Sequence, residues 1–233
     1  MDGQDQWSTV PRRLFGVEAI RFAFGRSTLL PALLLLVLFI GSGLLALHHP
    51  YFSGAVPALP FLAALVLRVA GTYLLSAAIL RRAVGSRRRA WMPDGAFWLF
   101  VLLFTISLAV PAAIALLVGN PLSVGTNLIM NGAATLFVSP CAPWIVAAAS
   151  ERPLAWQPGP WLRRSHLWLP QRTLWALLLL VPLGLVHVLI GSWQTGFDRW
   201  FWALGVADAL AGFLGLMLRL GLDAAAYSRV AQD

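Results

Sequence analysis

A small set of charged and hydrogen-bonding residues falls inside stretches otherwise built from leucine, alanine, valine and phenylalanine, and any chemistry this chain performs has to start from them. Arg68 lies near the middle of the apolar run 58–80, and Thr72 and Ser76 follow it on the same helical side. Asp208 lies at a similar depth in the run 200–220. At about 100° per residue, Gly205, Asp208, Gly212, Gly215, Arg219 and Asp223 fall within about 80° of one another. An ionised group inside hydrocarbon costs about 2.5 kcal/mol or more, so each needs a partner. Small residues let a neighbouring backbone approach, so this face is expected to point into a bundle. The matched depths predict an Arg68–Asp208 ion pair. The competing partners are the Asn127 and Asn131 stripe for Arg68 and His187 for Asp208.

The run 127–149 carries Asn127, Asn131, Thr135 and Ser139 at intervals of four, followed by Pro140 and Pro143. Two prolines three apart remove backbone donors, which predicts a kink satisfied by neighbouring side chains; the other reading is an unwound, transporter-like break. His187 shares a helical face with Gly184 and Gly191, as a hydrogen-bonded packing residue would. His48 and His49 have no further ligands near them in sequence, so no metal site is expected, and no cofactor motif is present. The sequence holds no Gly-rich phosphate loop, no Ser/His/Asp signature and no paired-His motif, which disfavours an enzyme. The single cysteine, Cys141, excludes an intrachain disulfide.

The elements that must position these residues are membrane spans. The 233 residues are 59% hydrophobic and 11% charged, about half the charge of a soluble domain, with a mean hydropathy of +0.77. Apolar runs near 28–47, 58–80, 96–118, 127–149, 173–191 and 200–220 approach or exceed the roughly 20 residues a spanning helix needs. The expected fold is an all-α polytopic bundle of about six transmembrane helices, with residues 1–27 and 221–233 as cytoplasmic segments around a 28–220 membrane domain. The first run begins too late and is too long for a signal-peptide core, so it is expected to remain as the first span.

All 17 basic residues are arginine and the formal charge is +8. They cluster before the first span, after the second, after the fourth and at the C-terminus, whereas 48–57 and 119–126 contain none. The positive-inside rule then puts both termini in the cytoplasm and explains the charge without nucleic acid, and the exclusive use of arginine suggests a GC-rich bacterial genome, so the expected location is a bacterial inner membrane. Trp91, Trp98, Trp168 and Trp175 at cytoplasmic ends, with Trp193, Trp200 and Trp202 at the far side, match indole preference for the headgroup level.

Two cytoplasmic segments are expected to lie on the membrane. A helix over 11–26 would group Val17, Ile20, Ala23 and Phe24 away from Glu18 and Arg21. Around 156–171, Trp161, Leu162, Leu167 and Trp168 interleave with Arg163, Arg164 and His166, so Trp161, Arg163, Arg164 and Trp168 are the expected contacts to anionic lipid.

The segment Val17-Glu18-Ala19-Ile20-Arg21-Phe22-Ala23-Phe24 running into the first span, together with Ser139-Pro140, Ser150-Glu151-Arg152-Pro153-Leu154-Ala155 and Leu162-Arg163-Arg164-Ser165-His166-Leu167-Trp168-Leu169, resembles bacterial six-span proteins related to the membrane domain of glycerophosphoryl diester phosphodiesterases. The likeness covers the layout of most of the chain but the wording of only about thirty residues; His166 replaces a common aromatic, and the linker is longer and richer in proline. The metal-dependent phosphodiesterase domain of full-length relatives has no counterpart here, so hydrolase activity does not carry over. The expected function is a non-enzymatic, accessory or lipid-interacting bundle, with a protein partner or a second copy as further candidates. The alternative is a small transporter or exporter with a polar pathway between spans two, four and six.

Overall fold

The computed structural model describes residues 14–48, 52–53, 56–57, 59–86, 89–118, 124–150, 159–163, 165–194 and 200–231. Their regular structure is helical apart from a minimal antiparallel pairing of β1 (Phe52–Ser53) with β2 (Val56–Pro57), Phe52 opposite Pro57. The helices are α1 (Phe15–Phe24), α2 (Leu29–His48), α3 (Leu59–Ala83), α4 (Gly95–Val118), α5 (Val124–Val138), α6 (Ala142–Ser150), α7 (Gly159–Arg163), α8 (Leu169–Gln194) and α9 (Phe201–Ala231). Among the described residues, four stretches are long and apolar enough to cross a membrane: Leu59–Ala83, Leu128–Ser150, Leu169–Ile190 and Phe201–Ala231. A fifth is added if α1 and α2, bent by 76°, form one span.

The bend has a local cause. Gly25 leaves helical geometry with φ −70° and ψ 160°, and the Thr28 hydroxyl lies 3.0 and 2.9 Å from the carbonyl oxygens of Ala23 and Gly25, which the helix end leaves unpaired. Pro140, between α5 and α6, and Pro143, in the first turn of α6, have a milder effect. They are taken up by one tightened turn, Ser139–Cys141, in which the Ala142 N–H donates to the Ser139 carbonyl, so α5 and α6 continue as one bent span.

Helix α9 is the axis of the bundle, packing against α8, α1, α2 and α6. One core joins Leu35 and Phe39 of α2, Ile79 and Leu80 of α3, Phe100 and Phe104 of α4, Ile145 of α6, and Met217 and Leu220 of α9. Phe100 and Phe104 stack at 5.1 Å, and Tyr73 meets Phe104 edge-on at 5.8 Å. A second core gathers Phe15, Ala19, Ala142, Trp168, Ala176, Leu222 and Ala225. It is dense because small residues bring backbones together: a Cβ at Gly221 would run into the Ala19 carbonyl oxygen. Large apolar side chains such as Leu33, Val37, Val66, Leu102, Ile129, Phe137 and Leu178 point outward, a surface that suits lipid better than water.

Two expectations are corrected here. The expected end of the last run at 220 is one: α9 continues to Ala231, and residues 220–226 are buried against the rest of the bundle. Trp168 is no headgroup anchor. The turn Ser165–Leu167 leads the chain into α8, and the Trp168 side chain is fully buried in the second core. Of its expected companions, Arg163 is exposed, while Arg164 and the Trp161 side chain lie outside the described residues.

Helix α1 departs from expectation in a third way. It has two apolar faces: Phe15, Ala19 and Ala23 pack inward, whereas Leu14, Val17, Ile20 and Phe24 remain exposed. Glu18 turns to α9 and receives Arg229 Nε and Nη2 at 3.2 and 3.1 Å and the Ser228 hydroxyl at 3.1 Å.

Candidate functional site

The largest concentration of buried polar groups lies where α4, α5, α8 and α9 meet. Arg172, one turn into α8, donates from Nε and Nη2 to Asp223 Oδ1 at 3.1 and 2.7 Å and from Nη1 to the Ser139 hydroxyl at 2.5 Å. Both members of the pair are essentially inaccessible. Such a pair persists only because the desolvation of each charge is offset by the other and by further hydrogen bonds. Ser139 completes its own bonding by donating to the Thr135 carbonyl at 2.6 Å, a four-residue step that the Asn127–Ser139 stripe provides.

Arg219 stands one turn before Asp223 on α9. Its Nε is 3.9 Å from Asp223 Oδ2, inside ion-pair range but beyond a hydrogen bond, and neither atom has a hydrogen-bond partner within the described protein. Its Nη2 donates to the Ser107 hydroxyl, and its guanidinium lies 5.0 Å above the Phe104 ring. Arg172, Arg219, Ser107, Asn131 and Thr135 line a cavity of about 110 Å³ whose remaining walls are Ala134, Val138 and Leu180. Asn131 packs over Gly184 of α8, where a Cβ would come within 2.9 Å of its amide nitrogen. Chemically the cavity offers permanently charged donors beside hydroxyl and amide groups, a set that can hold an anion. Among the described residues, no three His, Cys, Asp or Glu side chains converge as a metal group would.

No protein-family model, curated protein or solved structure matches this chain. What the site does therefore has to be argued from its own geometry.

The expected Arg68–Asp208 ion pair does not form. Asp208 Oδ1 contacts His187 Nδ1, and the Arg68 guanidinium lies 4.6 Å over the Phe39 ring. Arg68 and His187 both remain within electrostatic range of Asp208, so α3, α8 and α9 share a second polar group. Matching depth had selected the right neighbourhood, but depth leaves open which way each helix is turned. The other predicted residues divide: Asn131, Thr135, Ser139, Arg219 and Asp223 gather at the cavity, whereas the Asn127 side chain lies outside the described residues.

Sequence reasoning missed Arg172, Ser107 and Arg81. Arg172 and Arg81 look like topology arginines at span ends. Arg81 is instead a buried clamp: Nε donates to the Ala149 carbonyl at 2.6 Å, Nη1 to those of Arg89 and Met92 at 3.0 and 2.7 Å, and Nη2 to Asp94 Oδ1 at 2.9 Å. The same Asp94 oxygen accepts the Phe97 N–H at 3.0 Å and so caps α4. One signal was available: Asp94 is the sole acidic residue between Glu18 and Glu151 and directly precedes an apolar run.

Proposed function

We propose that the chain is a non-enzymatic bacterial inner-membrane protein, crossing the bilayer six times with both termini cytoplasmic, that engages anionic lipid along its arginine-rich side. Six spans are supported by α2 and α4, apolar helices of 20 and 24 residues, long enough to reach about 30 and 36 Å in addition to the four stretches above. The resemblance in layout to bacterial six-span proteins related to the membrane domain of glycerophosphoryl diester phosphodiesterases is in keeping with this reading.

The observation that carries lipid engagement is α1. It leaves α2 at 76°, its inner face is fixed to α9 by Ala19, Ala23 and the Glu18–Arg229 pair, and Val17, Ile20 and Phe24 remain uncovered. With α2 along the membrane normal, α1 lies near the membrane plane with that face available to the acyl boundary and the exposed Arg21 and Arg26 near headgroups. A spin label at Ile20→Cys, in a Cys141→Ser background in phosphatidylglycerol bilayers, is expected to sit below the phosphate level. Full accessibility to a water-soluble relaxation agent would overturn this reading.

A transport reading is favoured by a different observation, the polar cavity between α4, α5, α8 and α9. Its pathway would combine spans three to six rather than two, four and six. Saturable anion flux in proteoliposomes, abolished by Arg219→Gln, would establish it in place of the accessory role.

A further inference from the structure

The cavity beside Arg172 and Arg219 carries more positive charge than the bundle neutralises. Among the described residues the charged groups at and behind its wall are two guanidiniums and one carboxylate, leaving one net positive charge in a largely buried setting. Asp223 Oδ1 takes both bonds from Arg172, and Oδ2, with no hydrogen-bond partner among the described residues, stands 3.9 Å from Arg219, too far to bond it. Among the described residues Arg219 is held by one serine hydroxyl, one ring face and that distant carboxylate oxygen. A guanidinium so placed is short of an anion, because charge buried in low dielectric is stabilised mainly by a nearby opposite charge.

We infer that this cavity is an anion site for a phosphate group, held by Arg219 with Arg172, Ser107 and Asn131 around it. Guanidinium forks match the oxygens of phosphate, an amide can donate to a further oxygen, and Ser107, whose own proton goes to the Phe104 carbonyl, holds Arg219 in place. Volume limits the ligand. About 110 Å³ is several times the roughly 10–15 Å³ needed to hold one water and is well below the roughly 300 Å³ where pockets for whole small molecules begin. One oxyanion group fits there, and any attached chain would extend out through the open side. That group is either free phosphate or the phosphate of a lipid headgroup, and both present the same oxygens.

The inference rests on the reading of the chain as a membrane bundle but not on where α1 lies, so depth measurements at Ile20 and binding at the cavity fail separately. Full-length protein in phosphatidylcholine nanodiscs is dialysed against radiolabelled inorganic phosphate, and protein from phosphatidylglycerol nanodiscs is weighed by native mass spectrometry for retained lipid. Saturable binding is expected in at least one arm. Phosphate binding assigns a soluble ligand; retention of phosphatidylglycerol alone assigns a lipid headgroup. Arg219→Gln, which keeps a donor for Ser107, is expected to weaken binding by roughly tenfold or more. Asn131→Leu, close in volume and neutral, tests the same wall without disturbing a charge and is expected to weaken it less. Absence of saturable binding in both arms overturns the assignment. So does binding that both variants leave unchanged while keeping wild-type helicity.

Discussion

Replacing Asp223 by Asn keeps the shape of the side chain and removes the one carboxylate that two buried arginines share. Arg172 then loses the charge behind two hydrogen bonds of 3.1 and 2.7 Å, and Arg219 loses its 3.9 Å neighbour. Breaking a buried pair from one side costs about 3–5 kcal/mol, because the surviving charge remains buried without compensation. At about 2–4 °C per kcal/mol for a chain of this size, the thermal midpoint in detergent should fall by about 6–20 °C. Arg172→Leu should be comparably severe, since it leaves the Asp223 carboxylate buried without either of its hydrogen bonds. The double variant Arg172→Leu/Asp223→Leu should lose less than the sum, with a coupling of about 0.5–3 kcal/mol, although Arg219 still lacks a counter-ion. The same cycle on Arg68 and Asp208, which make no direct bond, should show a smaller coupling. The reasoning fails if losses at Arg172 and Asp223 simply add, or if the Arg68–Asp208 coupling is the larger.

Other consequences follow from contacts between elements. Gly221→Ala places a methyl group against the Ala19 carbonyl, so it should cost about 1–3 kcal/mol and raise hydrogen exchange selectively in α1. Arg81→Lys retains the charge but cannot reach the four acceptors that the guanidinium spans; proteolysis of the loop between α3 and α4 should accelerate, and unchanged cleavage would count against the clamp. A variant whose only tryptophan is Trp168 should emit in the blue and resist quenching by lipid brominated near the headgroup, because the side chain belongs to the α1–α8–α9 core.

The helices were legible because hydrocarbon imposes a length: an apolar run of about 20 residues has few other uses, and all six expected runs contain helix. Arg219 and Asp223 were legible from their four-residue spacing, and Ser139 from a stripe with the same step. Arg172 and Arg81 were not. A rule that counts arginines at span ends treats them as interchangeable, whereas burial depends on acceptors supplied from far along the chain, such as Asp223 and the Ala149 carbonyl. Ser107 gave no signal, because a lone serine in an apolar helix can bond its own turn, as this one does to the Phe104 carbonyl at 2.6 Å. Trp168 misled for a related reason: aromatic and basic interleaving describes an interfacial segment and equally a turn that sends one ring inward.

The central claim is a bundle that threads the membrane six times with its arginine-rich side in the cytoplasm, and labelling single cysteines from outside intact cells tests it most directly. In a Cys141→Ser background, Gly54→Cys and Ser123→Cys, in segments outside the described residues, should react with an impermeant maleimide. Arg87→Cys, also outside them, and Arg163→Cys should react only after the cells are opened. Protection of positions 87 and 163 alongside labelling of 54 and 123 is the predicted result. Labelling of position 163 in intact cells would contradict the six-span topology, and with it the assignment of α1 to the cytoplasmic leaflet.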